Sequence, residues 1–231
     1  MALDSTPTER PLRRDAERNR QRILDAAAVV FAERGLRGSH DDIAREAGVG
    51  VGTVYRRFPD KEQLIDALFE DRMAEMLRVA DEALAMADPW DGFVHFLTRC
   101  QEFQSADRGL KELMLSAEHG AERVARAREQ IAPLIQTLLT RAQEAGAIRD
   151  DVTLTDLPLI QVAVGAVTDA TRDVSPEAWR RTLTIVLDGL RPARHTTRPL
   201  DAPPLPLEQL DAAMQAGAGA AVRPGRAPLP S

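Results

Sequence analysis

The sequence predicts an all-α protein: a three-helix N-terminal unit, then a larger C-terminal helical domain, about nine helices altogether. Three observations predict it. Alanine, leucine and arginine are abundant while aromatic residues make up only 4%, a composition of helix formers. Long alternating runs of Val, Ile and Thr, which mark strands, are absent. Apolar residues recur instead every three or four positions between Gly, Pro and Asp punctuation. At 231 residues the chain is long enough to bury a substantial core.

Taken in order, residues 1–15 contain Pro7, Pro11 and several Ser/Thr and read as a flexible basic arm. A first helix follows from Ala16 to Arg34, with Ile23, Ala26, Ala27, Val30 and Phe31 on one face. Gly35 ends it. Ser39 is a good N-cap for a second helix, and Asp42, three residues on, completes a capping box. Ile43, Ala44 and Ala47 give that helix its apolar stripe. Gly48 ends it, since glycine takes the left-handed C-cap conformation cheaply, and Val49 plugs the core from the turn. The third helix runs from Val51 to Phe58. Val54 and Phe58, four apart, face inward. Thr53, Tyr55, Arg56 and Arg57 are left outside, where hydroxyls and guanidinium groups can meet phosphates and base edges. Pro59 stops this helix and Asp60 caps the next. Helix, short glycine turn and helix over 39–58 form a helix-turn-helix.

A fourth helix runs from Lys61 to Ala87. Its apolar surface is too wide for packing on one side, so it reads as the link between the two domains. Asp88-Pro89 starts a helix to Ser105, with Phe93, Phe96, Cys100 and Phe103 on one face. Asp107 to Gly109 is a break, and a short helix spans Leu110–Ala117. A long helix follows from Ala121 to Ala145, which Pro133 should kink and Gly146 ends. Thr155 or Asp156 caps the next helix, whose apolar side is Leu159, Ile160, Val162, Ala163, Val164, Ala166 and Val167. Ser175-Pro176-Glu177 starts another, carrying Trp179, Leu183, Val186, Leu187 and Leu190. These last two helices suit either a four-helix contact with a second copy or the last layer of the monomer's core. Periodicity does not separate the two. The candidate dimer surface is Val162, Gly165, Ala166, Trp179, Leu183, Val186, Leu187 and Leu190. From Pro192 on lie eight of the fifteen prolines, which makes 192–231 a Pro/Ala-rich disordered tail. Leu207–Gln215 is its one stretch patterned as a helix.

Charge narrows the function. The net charge is −6, which alone argues against nucleic acid. Yet residues 10–22 hold six arginines against two acidic residues. Basic residues at one end of an acidic protein fit DNA binding by that end alone. The four histidines are scattered, and Cys100, the single cysteine, has no thiol partner, so neither a metal nor a disulfide is expected. No nucleophile is paired with a base, and no Gly-rich phosphate cradle follows a strand. The chain reads as a non-enzyme without cofactor. It lacks a signal pattern and a membrane-spanning run, and reads as cytoplasmic.

Residues 16–76 resemble the TetR-type (tetracycline-repressor-like) transcriptional regulators. The resemblance is carried by RILDAAAVVFAERG (22–35), DDIAREAGV (41–49) and GTVYRRFPDKEQL (52–64). It implies a helical homodimer whose helix-turn-helix units bind the halves of a palindromic double-stranded DNA operator. It also implies a C-terminal domain, here 77–191, that binds a small-molecule effector and moves the fourth helix. By position, Thr53, Tyr55 and Lys61 are similar to the family's phosphate contacts. Arg56 and Arg57 are similar to its base-reading and backbone surface. Ser39 and Gly52 complete the candidate DNA-contacting set. Gly50 and Val51 depart from the family, standing where serine and lysine are frequent. The alternatives are an activator of the same fold, an interaction module that has lost DNA binding, and an enzyme with a vestigial N-terminal unit.

For the effector, Trp90, Phe93, Phe96, Phe103, Met114, Leu138 and Val162 could line an apolar cavity. His119, Gln136, Thr137, Gln161, Thr168 and Asp169 could orient a ligand in it. The same residues also suit the core and surface of an ordinary helical bundle.

Overall fold

The structure, a computed structural model, describes residues 9–34, 37–106, 120–192, 200 and 202–221. Among them lie nine helices and no strand: α1 (Glu9–Arg34), α2 (His40–Ala47), α3 (Val51–Arg57), α4 (Lys61–Ala85), α5 (Pro89–Ala106), α6 (Gly120–Glu144), α7 (Asp156–Thr171), α8 (Ala178–Leu190) and α9 (Leu207–Ala221). The chain divides into two compact units, residues 1–71 and 72–231. The division falls within α4, earlier than the expected boundary at 76.

In the first unit, α1 packs on α2 and α2 on α3. The expected stripes are buried, Ile23, Ala26, Ala27, Val30 and Phe31 from α1, Ile43, Ala44 and Ala47 from α2, then Val54 and Phe58, and they are joined by Leu24, Leu64 and Ile65. Gly38 lies so close to α1 that a Cβ there would meet Val30 Cγ1 at 2.7 Å. α1 begins at Glu9, which corrects the expected flexible arm over residues 9–15. Pro11 is harmless in a first turn, whose N–H groups have no helical partner. Residues 1–8 and the expected stop at Gly35 lie outside the described residues.

In the second unit, α5 packs on α6, α7 and α8, and α7 on α8. One apolar core joins Val79, Ala80 and Ala83 to Phe93, Phe96, Leu97 and Cys100. It continues through Leu138, Leu139 and Ala142 to Leu157, Val164, Trp179, Leu183, Leu187 and Leu190. Asp88 caps α5, accepting from the N–H groups of Trp90 at 2.8 Å and Asp91 at 3.2 Å. α6 is one continuous helix through Pro133. Gly146 ends it with φ of 64°.

Two starts differ from expectation. Thr155 makes no capping hydrogen bond. Asp156 instead accepts from the Thr153 N–H at 2.7 Å and its hydroxyl at 2.9 Å, closing a box two residues upstream. Glu177 likewise makes no side-chain cap and pairs with Arg180. The tail also differs. α9 occupies Leu207–Ala221, with Leu210 buried and Asp211 paired to Arg128 of α6. The reading of 192–231 as disordered is corrected over that span, because Leu207, Leu210 and Met214 supply an apolar stripe after the last proline pair. The expected short helix at Leu110–Ala117 lies outside the described residues.

The α4–α5 corner is a close approach of backbone to backbone. A Cβ on Gly92 would sit 2.4 Å from the Ala83 carbonyl oxygen, a rigid backbone atom. Gly92→Ala is expected to cost about 1–3 kcal/mol through overpacking. Urea unfolding followed by circular dichroism measures it, and an unmoved midpoint contradicts the close approach.

Candidate nucleic-acid interface

The interface is built outward from the start of α2. The Ser39 hydroxyl accepts the Asp42 N–H at 3.2 Å and donates to the Asp42 carboxylate at 2.7 Å, while the Ser39 N–H donates to the same carboxylate at 3.2 Å. Arg34 of α1 reaches Asp42 at 2.8 Å and Arg45 at 3.1 Å. The Ser39 hydroxyl above all, then its N–H and the Arg34 charge, hold the Asp42 carboxyl down from 3.8 to about 2. Ser39 thus spends its only hydroxyl proton inside the cap. It holds α2 and has no donor left for a phosphate, which corrects its place in the contacting set.

Gly48 closes α2 in the left-handed region, φ 63°. Arg22 of α1 donates to the Ala47 carbonyl at 2.6 Å, a cation on the carbonyl-rich end of α2. α3 follows with Gly50 as N-cap and no side-chain cap. Its Val54 is buried and Phe58 seals its end. The other side is open. Val51 and Tyr55 are 41% and 50% exposed, and Gly52, Arg56 and Arg57 are exposed as well. Thr53 is half-buried and its hydroxyl accepts from Arg56 Nη2 at 3.3 Å. Lys61, half-buried, opens α4, whose first turn Asp60 caps by accepting the Gln63 N–H at 2.8 Å. Gly52, Thr53, Tyr55, Arg56, Arg57 and Lys61 are therefore gathered on or beside α3.

Sequence reasoning missed two supports of this surface. Arg22 is one. The other is His40, buried under Tyr55 with the rings stacked 4.6 Å apart at 9° and Nε2 3.0 Å from the Phe58 carbonyl. A histidine opening a helix gives no sign in sequence of a partner fifteen residues away.

The C-terminal unit treats the candidate effector residues unevenly. Phe93, Phe96 and Leu138 belong to its core. Trp90 and Phe103 pack against that core half-buried, under the guanidinium groups of Arg191 and Arg99 respectively. Gln136, Thr137, Val162 and Asp169 are exposed. Gln136 bonds Thr140 at 3.2 Å, Thr137 the Pro133 carbonyl at 2.9 Å, and Asp169 pairs with Arg172. These four are corrected to surface positions. Met114 and His119 lie outside the described residues. Among the described residues of this unit the buried polar ones are Gln161 and Thr168, both named as candidates to orient a ligand, and Gln101 and Arg123, which were not. Gln161 donates to the Leu97 carbonyl at 3.0 Å, and Gln101 to Thr168 Oγ1 at 3.0 Å. Among the described residues the Gln101 Oε1 is buried without a hydrogen-bond donor, a costly state for an acceptor.

The candidate dimer surface divides in two. Trp179, Leu183, Leu187 and Leu190 are buried in the chain's own core and are not available to a second copy, which corrects those four. Val162 and Ala166 are exposed and Gly165 and Val186 half-buried. Ile185, absent from the expected set, is 62% exposed. Burial also pushes the Cys100 thiol up to about 12, so it stays protonated and unreactive. Among the described residues no three His, Cys, Asp or Glu side chains form a metal site, and no helix is long and apolar enough to cross a membrane.

With this geometry in hand, the relatives are informative. The profile of the bacterial regulatory proteins of the tetR family matches residues 23–68. That of the SbtR-like transcriptional regulator C-terminal domain matches residues 88–192. The HTH-type transcriptional regulator YhgD of Bacillus subtilis is 30% identical over 155 residues, 64% of this chain and 81% of that one. The crystal structure of a TetR transcription regulatory protein from Mycobacterium vanbaalenii is 33% identical. It covers 79% of this chain and 100% of its own, with a TM-score of 0.63. FadR from Bacillus subtilis, solved in complex with stearoyl-CoA, shares the fold at 20% identity. It covers 76% of this chain and 99% of its own, with a TM-score of 0.61.

The depressed Asp42 carboxyl has a pH consequence. Its folded value lies below its unfolded one, so its contribution is complete above about pH 5 and is lost as pH falls towards 2. The acid unfolding of the full chain, followed by circular dichroism, is expected to lose part of its slope between pH 4 and 2 in Asp42→Asn. An identical pH profile in the variant rules out Asp42 as a contributor.

Proposed function

The chain belongs to the TetR family of DNA-binding transcriptional regulators, and we propose that it acts in the cytoplasm as a homodimeric repressor, released from a palindromic operator by a small molecule. Gly52 carries the DNA side of this reading. It lies in the first turn of α3, its φ is not positive, and a Cβ there would meet nothing within 4 Å. The protein itself gives no reason for glycine, and alanine would favour the helix. A partner backbone approaching closely supplies the reason. Thr53, Tyr55 and Lys61 then hold phosphates, and Arg56 and Arg57 reach base edges and the adjoining backbone. With Gly50 and Val51 offering no polar side chain, direct reading falls on few residues, and DNA shape contributes the rest.

Dimerisation is supported by the bare apolar residues of α7 and α8, namely Val162, Ala166 and Ile185, with half-buried Gly165 and Val186 among them. Two copies would then engage half-sites roughly 34–36 Å apart. For the effector, the buried acceptor of Gln101 offers a polar point within apolar surroundings. We carry over from the FadR likeness only that the fold can hold an effector, not which one. α4 carries residues of both units, and effector binding would act on α3 through it.

Footprinting on genomic fragments should return a short pseudo-palindrome, with Arg56→Ala weakening its protection. Gly52→Ala should leave thermal stability unchanged or slightly higher while lowering operator affinity. If affinity survives that substitution, close approach at α3 is wrong. Lys61→Ala should reduce the salt slope of binding by about one unit. Ile185→Glu should give monomers in sedimentation without loss of helicity, and a persistent dimer would exclude that face.

A further inference from the structure

We infer that His40 is a positioning residue for DNA recognition, a shelf that holds the Tyr55 phenol in one orientation on the face of α3. Tyr55 is half exposed, yet one face of its ring is covered. The His40 imidazole lies parallel to it, 4.6 Å away and inclined by 9°. The imidazole is itself enclosed. It is 8% exposed, and its backbone sits in the first turn of α2, against the Ser39–Asp42 cap. Its Nε2 faces the Phe58 carbonyl at 3.0 Å. A carbonyl can only accept, so Nε2 carries the proton and the ring is fixed in both tautomer and tilt.

Phe58 is the C-cap of α3, and its carbonyl lies beyond the helix's own hydrogen bonds. His40 therefore ties the end of α3 to the start of α2 with one atom and flanks Tyr55 with its ring. An unsupported tyrosine on an exposed helix face samples several rotamers and loses that freedom when it docks. The stacked ring bears that loss on folding, and the phenol hydroxyl meets its partner already placed.

This inference rests on the reading of Tyr55 as a DNA contact, and the test separates the two. The probes are the duplex protected in footprinting and a scrambled duplex of equal length. His40→Leu and His40→Phe both lose the bond to Phe58 and differ in the aromatic ring, so their comparison isolates the stack. His40→Leu is expected to weaken the protected duplex by about three- to ten-fold and, because a phosphate contact is read on any sequence, to weaken the scrambled duplex as well. His40→Phe should restore binding to within about two-fold of the parent. In a Tyr55→Ala background the two substitutions should bind alike.

Tyr55 is the chain's single tyrosine, so a tyrosine-labelled full-length sample reports this ring alone by NMR. Its ring signals should shift and average in His40→Leu and stay dispersed in His40→Phe. Equal binding by the Leu and Phe variants, with Tyr55→Ala still weakening the operator, overturns the shelf and leaves the contact standing. Unchanged binding in Tyr55→Ala overturns the DNA role of both residues.

Discussion

Three hydrogen bonds between Ser39 and Asp42 decide where α2 begins, and the exposed surface of α3 takes its position from that point. The cap fixes the first turn of α2. Arg34 reaches the same carboxylate from α1, so the direction of α2 relative to α1 is set at one end. At the other end Arg22 grips the Ala47 carbonyl and Gly48 turns the chain in a conformation that costs other residues more. Both ends of an eight-residue helix are thus held by side chains of α1. The apolar stripe Ile43, Ala44 and Ala47 then has one available partner surface.

α3 depends on this arrangement more than on its own sequence. It has seven residues, includes a glycine and lacks a side-chain cap, and an isolated helix of that length does not persist in water. Its stability is tertiary. Val54 and Phe58 are buried, and the Phe58 carbonyl is received by His40. The polar and glycine positions of α3 are consequently free of structural duty, which is why they can face outward.

Much of this was legible in the sequence because the signals are local. Ser39 with Asp42, Gly48, Asp60 and Asp88 each act on a backbone group within four residues, and short-range chemistry is read from order alone. What failed involved distance or burial. The outward side chains of α3 were placed by periodicity, but the stack of His40 on Tyr55 is a contact between helices and leaves no mark on either. α1 extends back to Glu9 because Pro11 costs little in a first turn, whereas proline in a terminal stretch suggests a break. On α7 and α8, apolar residues cover more than one face, so pattern alone could not say which are buried.

That last ambiguity has a physical content of its own. Along α7 the inward stripe is Leu157, Gln161, Val164 and Thr168, two apolar and two polar residues. Each polar one is satisfied through α5: Gln161 on the Leu97 carbonyl, Thr168 by the Gln101 amide. The outward positions include Val162, Ala163 and Ala166. Polar residues among the inward positions and apolar residues among the outward ones both depart from the usual pattern. The inward half is tolerated because hydrogen bonds replace the lost water. No such compensation acts on the outward half, where Val162 and, on α8, Ile185 remain in water. Covering those side chains would release their hydration cost. The same helix therefore brings together a surface suited to a second copy and a buried polar seam with α5.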